Sequence, residues 1–284
     1  MQTLQLWERQ PMKATCSNGH DFEYQESDVK SHFVMCGSST DLNSVDQLTD
    51  SQLVDMVFTD PPYNVDYGGG VEIGNKQGYK PRKIENDKMS DEDWNQFVRD
   101  YITSILTYCK GNIYIAMSDK ELGHMQRTFT ELGGRWASFI IWVKNSLVLS
   151  AKDYHSRHET ILYGWHKDAE NRQRVEDRKQ DDVWEIDRPS RSEEHPTMKP
   201  VELCARAISN SSKRDASVLD LFLGSGSTLI ACEQTDRTCY GMELDPKYVD
   251  VIRKRWAKFV YPDTWEDRWE ELTPAINTGE KQVD

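Results

Sequence analysis

The chain has 284 residues, with 37% hydrophobic and 29% charged side chains, which is enough for a large α/β domain with a sizeable core. Its formal net charge of −13 argues against a non-specific nucleic-acid coat protein, although an acidic body can still carry a local basic groove. No apolar run approaches the roughly 18 residues of a membrane helix, and residues 1–10 lack the apolar stretch of a signal peptide. We therefore expect a cytoplasmic protein without a membrane partner.

The six cysteines are scattered along the chain, which indicates reduced thiols and not a disulfide framework. Cys16, His20, His32 and Cys36 have a spacing that could bind zinc. Cys36, however, closes a predicted strand, where a small buried thiol is ordinary. We predict no metal site, and this quartet is the open alternative.

Strand-like and helix-like segments alternate along the chain, which predicts an α/β fold with a doubly wound, mostly parallel sheet. Seven segments are predicted as strands: 32–36, 53–58, 112–116, 137–143, 160–165, 217–222 and 238–243. Five are predicted as helices: 90–109 with Ser90 as N-cap, 119–132, 200–211, 226–234 and 246–260.

Two polar segments interrupt this alternation. Residues 64–89 are rich in glycine, and loops of this length are usually functional or disordered. Residues 166–194 are polar with mixed charge, and they form either a solvated surface loop or an inserted segment that reads a substrate.

The remaining segments lie at the two ends of the chain. The domain is predicted to span 31–262, between an N-terminal extension, 1–30, and an acidic C-terminal tail, 263–284. Trp265 and Trp269 in this tail are expected to pack back on the domain, because large aromatic side chains are mostly buried.

The sequence TDPPYN follows the predicted strand 53–58. Pro61 and Pro62 fix the backbone and offer no N–H donors, so the loop is stiff. It holds Asp60 and Tyr63 in a set relation at the carboxyl end of the strand, where open α/β sheets place their chemistry. A rigid turn without a chemical role is the alternative.

A second motif, LDLFLGSGST, covers residues 219–228 and runs from a strand through a glycine turn into a helix. Such a turn lets a ligand approach the backbone near a helix N-terminus. The following strand ends at Glu243, and an acid there can accept hydrogen bonds from ribose hydroxyls. The motif predicts nucleoside binding, but Leu229 occupies the third glycine position of the dinucleotide motif, which argues against NAD.

A third motif, HPTMKP, covers residues 195–200, and Pro200 suits the first turn of the helix that follows. Thr197 and Lys199 could hold an anion beside the glycine turn. A plain junction between a loop and a helix is the alternative.

Together, TDPPYN, HPTMKP, LDLFLGSGST and GMELD resemble the DNA amino-methyltransferases of the β arrangement, in which the catalytic motif precedes the cofactor motif. The resemblance covers 32–260, including IIWVKN and DYHSRHETILYGW. It implies a Rossmann-like methyltransferase domain with a circularly permuted seven-stranded sheet and a small inserted recognition segment. It also implies S-adenosylmethionine as the cofactor and duplex DNA, with a base flipped out, as the partner.

By this resemblance, the target is the N6 amino group of adenine, with the N4 amino group of cytosine as the alternative. Asp60 would accept one amino N–H and the Pro61 carbonyl the other, while Pro62 keeps the loop rigid and Tyr63 stacks on the base.

The resemblance also implies the cofactor-binding residues. Asp220, Phe222, Gly224 and Gly226 would line the pocket, and Glu243 would bind the ribose. Ser227, Thr228, Thr197 and Lys199 would hold the methionine end. The chain departs from the family at Ser38, where an acid often contacts the cofactor adenine. Either Ser38 or Asp41 would take that role, or the affinity for the cofactor would be weakened.

The loop 64–89 is expected to close over the flipped base as a lid. DNA phosphates would be contacted by five basic residues: Lys76, Lys80, Arg82, Lys83 and Lys144. The segment 166–194 is the candidate for target recognition, and its small size favours a short or relaxed recognition sequence. Family members often pair as dimers, so a homodimer associated with the nucleoid is expected.

Two alternatives come from other functional classes. A non-catalytic subunit would bind S-adenosylmethionine and DNA without turnover, but it would not need Asp60. An NAD-dependent oxidoreductase would leave TDPPYN unexplained.

Overall fold

The computed structural model describes residues 31–64, 89–148, 153–169, 172–188 and 198–273, and the backbone of 12–15 and 21–24. The strands in these ranges are β1 (Met12–Thr15), β2 (Asp21–Tyr24), β3 (Phe33–Cys36), β4 (Val54–Thr59), β5 (Cys109–Met117), β6 (Gly134–Val148), β7 (Ser156–His166), β8 (Val183–Glu185), β9 (Ser217–Asp220) and β10 (Thr238–Glu243). The helices are α1 (Leu42–Thr49), α2 (Asp91–Tyr108), α3 (Leu122–Glu131), α4 (Val201–Ser211), α5 (Ser227–Gln234), α6 (Pro246–Val260) and α7 (Trp265–Leu272).

One large sheet has the strand order β3-β10-β9-β4-β5-β7-β6-β8. The strands from β3 to β5 in this order are parallel, β7 is antiparallel to both β5 and β6, and β8 is parallel to β6. The predicted α/β alternation is therefore confirmed, but the predicted count of seven strands is wrong. The eighth strand, β8, lies inside the segment 166–194, where three residues are too few to show a strand period in the sequence.

Two apolar cores cover the two faces of the sheet. Alternate residues of β5 enter different cores, with Tyr114 and Ala116 in one and Ile113 and Ile115 in the other. The first core also contains side chains of α4, α5 and α6, and the second contains those of α1, α2 and α3. This arrangement leaves the carboxyl ends of the central parallel strands available for a site.

The helix α2 starts as the sequence predicts. The Ser90 hydroxyl accepts a hydrogen bond from the Asp93 backbone N–H at 3.1 Å and donates one to the Asp93 carboxylate at 2.9 Å. The first of these bonds satisfies an orphan backbone donor of the first turn, as an N-cap serine does.

The hairpin of β6 and β7 is longer than predicted. Pairing runs from Gly134 with His166 to Val148 with Ser156, whereas the sequence predicted strands only at 137–143 and 160–165. The polar residues near the tip hide the strand period, and cross-strand pairing extends both strands past the point where they stop being apolar.

Part of the segment 166–194 is docked on the domain. The guanidinium of Arg172 lies 3.6 Å from the ring centroid of Trp165, and the buried Asn112 side chain donates to the Gln173 carbonyl at 2.6 Å. The target-recognition role stays a prediction, and residues 189–194 lie outside the described residues.

The C-terminal tail begins with α7, which packs on the domain. Trp265 and Trp269 are partly buried against the first core, as predicted. The buried Arg253 lies 4.7 Å from the ring centroid of Trp269 and donates to the carbonyl of Thr273. Among the described helices, none combines the length and the apolar character needed to cross a membrane.

Candidate active site

The TDPPYN loop leaves the centre of the sheet. It follows β4, which lies between β9 and β5, so Asp60 stands at the carboxyl edge of the parallel strands. Pro61 is buried and Pro62 is half-buried, so the loop is anchored in the domain. The sequence-based placement of this motif is confirmed.

The carboxylate of Asp60 is bound on both oxygens. The Tyr63 hydroxyl donates to Oδ1 at 2.6 Å, and the Lys199 ammonium lies 2.8 Å from Oδ2. Burial and the neighbouring Asp60 raise the pKa of Tyr63 well above its usual range, so the phenol keeps its proton and acts as a donor. The predicted acceptor and the predicted stacking ring are therefore neighbours.

Lys199 joins the group of polar side chains around Asp60. Its ammonium is 2.8 Å from Asp60 Oδ2, 2.8 Å from Glu159 Oε2 and 3.1 Å from the Tyr63 hydroxyl. An ammonium has three donors, and these acceptors match that number. Burial opposes the charge of Lys199, but the two carboxylates outweigh it and raise the pKa. Its predicted contact with the methionine end of a cofactor stays a prediction.

Glu159 on β7 completes the cluster, and the sequence analysis did not single it out. Its Oε1 lies 2.5 Å from the ammonium of Lys144, which is 6% exposed. Burial alone would raise the pKa of Glu159, but Lys199 and Lys144 lower it to about 2. A carboxylate two residues before the apolar pair Ile161-Leu162 was the available signal. The predicted phosphate contact of Lys144 stays a prediction, and in this structure its ammonium is buried against Glu159.

The catalytic motif also closes the base of the long loop. The side-chain oxygen of Asn64 accepts from the Met89 backbone N–H at 2.7 Å, and its amide donates to the Met89 carbonyl at 3.4 Å. The loop 64–89 therefore leaves and returns beside Tyr63. Its predicted phosphate-binding residues, Lys76, Lys80, Arg82 and Lys83, lie outside the described residues.

The glycine turn follows β9, two strands from the sheet edge formed by β3. Gly224 and Gly226 have φ values of 54° and 84°, a backbone region that glycine adopts without strain. A Cβ on Gly224 would meet only the Phe222 carbonyl, at 3.9 Å, so the backbone there is open to a ligand. The helix α5 begins at Ser227, as the sequence predicts within one residue.

Glu243 ends β10 beside this turn. Its carboxylate accepts backbone N–H groups from Gly224 at 2.8 Å and from Asp245 at 3.0 Å. Burial raises the pKa of Glu243 to about 7, although these hydrogen bonds oppose the shift.

Asp220 connects the two motifs. It is 3% exposed, and its carboxylate accepts from the Thr59 hydroxyl at 2.7 Å, from the Thr228 hydroxyl at 2.6 Å and from the Phe222 N–H. Burial raises the pKa of Asp220 to about 6. Thr59 directly precedes Asp60, so Asp220 holds the end of β4 against the glycine turn.

Ser227 makes a second connection. Its hydroxyl donates to the Lys199 carbonyl at 2.7 Å, which fixes the start of α4 to the start of α5. The side chains of Ser227 and Thr228 thus bind other protein groups, and their predicted contacts with a cofactor stay predictions.

A family model described as DNA methylase matches residues 54–254, which is more than half of the chain. The chain belongs to this DNA methylase family. The family assignment contradicts the alternative of an NAD-dependent oxidoreductase.

Curated relatives and solved structures agree with this assignment. The chain is 29% identical over 220 residues to the type II methyltransferase M2.DpnII of Streptococcus pneumoniae, covering 71% of this chain and 82% of that one. The structure of M1.HpyAVI with S-adenosylmethionine superposes with a TM-score of 0.61 at 21% identity, covering 78% of this chain and 98% of that one. The structure of the cytosine-N4-specific PvuII DNA methyltransferase superposes with a TM-score of 0.61 at 15% identity, covering 86% of this chain and 94% of that one.

The methyl donor of this DNA methylase family is S-adenosylmethionine, and the glycine turn fits it. Glu243 offers a carboxylate at the end of a strand, which suits a ribose diol. The open backbone at Gly224 and the N-terminus of α5 lie beside it. Phe222 packs edge-on against Phe97 and Tyr101, so its ring has a fixed place at this turn.

The geometry of the loop after β3 favours neither Ser38 nor Asp41 as the contact to the cofactor adenine. The Gly37 N–H donates to the Glu243 carbonyl at 3.0 Å, so this loop borders the same turn. The Ser38 hydroxyl pairs with Thr40 at 2.8 Å, while the Asp41 carboxylate caps α1 and is exposed. Both stay predictions, and Thr197 lies outside the described residues.

His32 of the proposed zinc quartet lies in the core. It is 2% exposed, its Nε2 lies 2.8 Å from Glu233 Oε2, and its Nδ1 accepts from the Cys239 backbone N–H at 3.0 Å. Both ring nitrogens are therefore engaged, which weakens the zinc alternative. Cys16 and His20 lie outside the described residues.

Proposed function

We propose that this DNA methylase transfers the methyl group of S-adenosylmethionine to the N6 amino group of an adenine flipped out of duplex DNA. The carboxylate of Asp60 at the carboxyl end of β4, linked through Thr59 and Asp220 to the glycine turn, carries the proposal. The preference for adenine rests on the DPPY sequence, by resemblance to the family.

Asp60 and Pro61 would align the nucleophile. The amino nitrogen of adenine is a poor nucleophile, because its lone pair is delocalised into the ring. Two acceptors, the Asp60 carboxylate and the Pro61 carbonyl, would orient the two N–H groups so that the lone pair points at the donor. When bound, S-adenosylmethionine supplies a methyl group on a positively charged sulfur. The contribution of the protein is positioning and electrostatic stabilisation.

When the target base enters, the Tyr63 hydroxyl would give up its hydrogen bond to Asp60. Its hydroxyl now donates to Asp60, at the oxygen that an amino N–H would need. The target base would replace that donor, and the Tyr63 ring would stack on the base. Stacking of this kind contributes about 1–3 kcal/mol per base in single-strand complexes.

The loop 64–89 would bind DNA phosphates through its lysine and arginine side chains. Removing one such side chain is expected to reduce the slope of log binding constant against log salt by about 0.9. The variant Lys76→Ala/Lys80→Ala should therefore lower the slope by about 1.8, measured by fluorescence anisotropy on duplex DNA.

The matched control is Lys213→Ala/Arg214→Ala. These residues precede β9 and so lie at the opposite edge of the sheet from Asp60. The control should keep the wild-type slope. Equal slopes for the wild type and the loop variant would remove the loop from the DNA site.

The finer properties are part of the same proposal. Within the large sheet, β3 comes first in the chain and β9, which leads into the glycine turn, comes late, and this order supports a circularly permuted sheet. The docked part of 166–194 leaves little chain to read bases, which supports a short or relaxed recognition sequence.

We also propose a homodimer that acts at DNA in the cytoplasm, and light scattering of the purified protein tests the dimer.

The decisive experiment is incubation with unmethylated DNA and labelled S-adenosylmethionine, followed by digestion to nucleosides and mass spectrometry. N6-methyladenine is the expected product. N4-methylcytosine would contradict the base and keep the mechanism. Absence of any methylated nucleoside, with cofactor binding intact, would favour the non-catalytic subunit.

A further inference from the structure

Four charged side chains from four different parts of the chain bind one another beside the TDPPYN loop. Asp60 follows β4, Lys144 belongs to β6, Glu159 belongs to β7 and Lys199 precedes α4. The contacts form a chain, because Lys144 binds Glu159 at 2.5 Å, Glu159 binds Lys199 at 2.8 Å and Lys199 binds Asp60 at 2.8 Å. Two ammonium groups thus face two carboxylates, and the charges sum to zero.

Glu159 is the most firmly anchored member. It lies on β7, which is paired with β5 on one side and with β6 on the other, where Glu159 is opposite Trp142. Asp60, by contrast, lies on a loop, and Lys199 lies on the segment that leads into α4. The position of Lys199 is therefore set by Glu159 on one side, and the orientation of Asp60 is set by Lys199.

The charges at this cluster matter for the reaction. As the amino nitrogen attacks a methyl group, positive charge develops on it, and fixed charges nearby act strongly in a partly buried site. With Glu159 neutral, two ammonium groups would face the single carboxylate of Asp60. That excess of positive charge would oppose the transition state and compete with the target N–H for Asp60.

We infer that Glu159 is a positioning residue, which holds Lys199 against Asp60 and balances the charge of the two lysines. Its role is exerted through Lys199 and not by contact with the base. This inference rests on the proposed function, and it adds a residue outside the four motifs.

The test is single-turnover methyl transfer to duplex DNA by the full chain with enzyme in excess. We expect Glu159→Gln, which keeps the shape and removes the charge, to be about 10 to 100 times slower than the wild type. Its dissociation constants for S-adenosylhomocysteine and for DNA should change less than about threefold, because this substitution alters positioning and not binding.

A second substitution separates charge balance from simple loss of packing. In Glu159→Gln/Lys144→Met, one carboxylate and one ammonium remain, so the charges sum to zero again. We expect this double variant to be at least about fivefold faster than Glu159→Gln. If lost packing were the cause, a second substitution in the same cluster would instead slow the reaction further.

Lys110→Met is the matched control. Lys110 also forms a 3.0 Å ion pair, with Asp55, but its side chain is 54% exposed at the start of β5. This variant should keep the wild-type rate. A Glu159→Gln rate within about threefold of the wild type, or a double variant slower than Glu159→Gln, would overturn the inference while the proposed function stands. A wild type that methylates no base would overturn both.

Discussion

The cluster around Asp60 and the glycine turn both hold partly or fully buried carboxylates at the carboxyl ends of the parallel strands, but different groups bind these carboxylates. Glu159 in the cluster around Asp60 is bound by two ammonium groups, which overcome burial and lower its pKa to about 2. Asp220 and Glu243 at the glycine turn are bound by backbone N–H and hydroxyl donors, and burial raises their pKa values to about 6 and about 7.

The same chemical group, a carboxylate, therefore behaves differently in the two regions. Beside Asp60, the low pKa of Glu159 keeps its charge constant throughout the physiological pH range. At the glycine turn, neutral donors offset only part of the cost of burial, so the carboxylates gain protons near neutral pH. The cluster around Asp60 therefore keeps the charge of Glu159 fixed, whereas the carboxylates at the glycine turn are sensitive to pH.

The largest expected effect comes from Asp60. Asp60→Ala should reduce kcat by about 100-fold or more, because it removes the acceptor aimed at the target amino group. The affinity for S-adenosylhomocysteine should remain within about threefold of the wild type, since Glu243 and Gly224 belong to the other region. Single-turnover rates and calorimetric titration measure the two quantities.

Asp60→Asn is the control for shape, because it keeps the size of the side chain and its contact with Tyr63. It should also be strongly impaired if the negative charge is what matters. A near-normal kcat in Asp60→Ala would break the assignment of chemistry to the TDPPYN loop.

A smaller effect is expected at Glu243. The wild-type affinity for S-adenosylhomocysteine should weaken as the pH falls through about 7, by up to tenfold per pH unit, because the protonated carboxyl no longer accepts from both ribose hydroxyls. Glu243→Gln should bind about tenfold more weakly at pH 8, with a nearly flat pH profile. Titrations between pH 5.5 and 8.5 provide both curves. A flat wild-type profile would contradict the ribose role of Glu243.

The smallest effect concerns stability. The pKa of Asp220 is raised on folding, so its favourable contribution is present below about 4 and is lost as the pH rises through about 6. Asp220→Asn should therefore gain stability relative to the wild type as the pH rises between these values, by about 3 kcal/mol. Urea unfolding at pH 4, 5, 6 and 7 measures the difference.

Glu159→Gln provides the opposite case. The folded pKa of Glu159 is lowered, so its stabilising contribution is present above about 4.5 and is lost as the pH falls towards 2. The deficit of this variant should be constant from pH 5 to 7. If the difference in unfolding free energy from the wild type had the same pH dependence in the Asp220 and Glu159 variants, the electrostatic contrast between the two regions would be contradicted.

Much of the fold could be predicted because local signals and tertiary structure agree. The serine cap of α2, the apolar strand β4 and the glycine turn before α5 each require particular residues at particular positions. β8 was missed because a three-residue strand has no period of its own. The ends of β6 and β7 were missed because pairing, and not composition, extends them.

The sequence by itself determined the order of the motifs, the stiff loop at Asp60, the bare backbone at Gly224 and the acid at the end of β10. These depend on residue type and on near neighbours in the chain. Only the tertiary structure decided which distant groups meet. It brings Lys199 to Asp60 across 139 residues of chain, and Glu159 and Lys144 to Lys199, because β4, β6, β7 and the start of α4 converge there. Ion pairs between residues so far apart leave no local pattern, because a charged residue that forms such a pair looks the same in the sequence as one that stays in solvent.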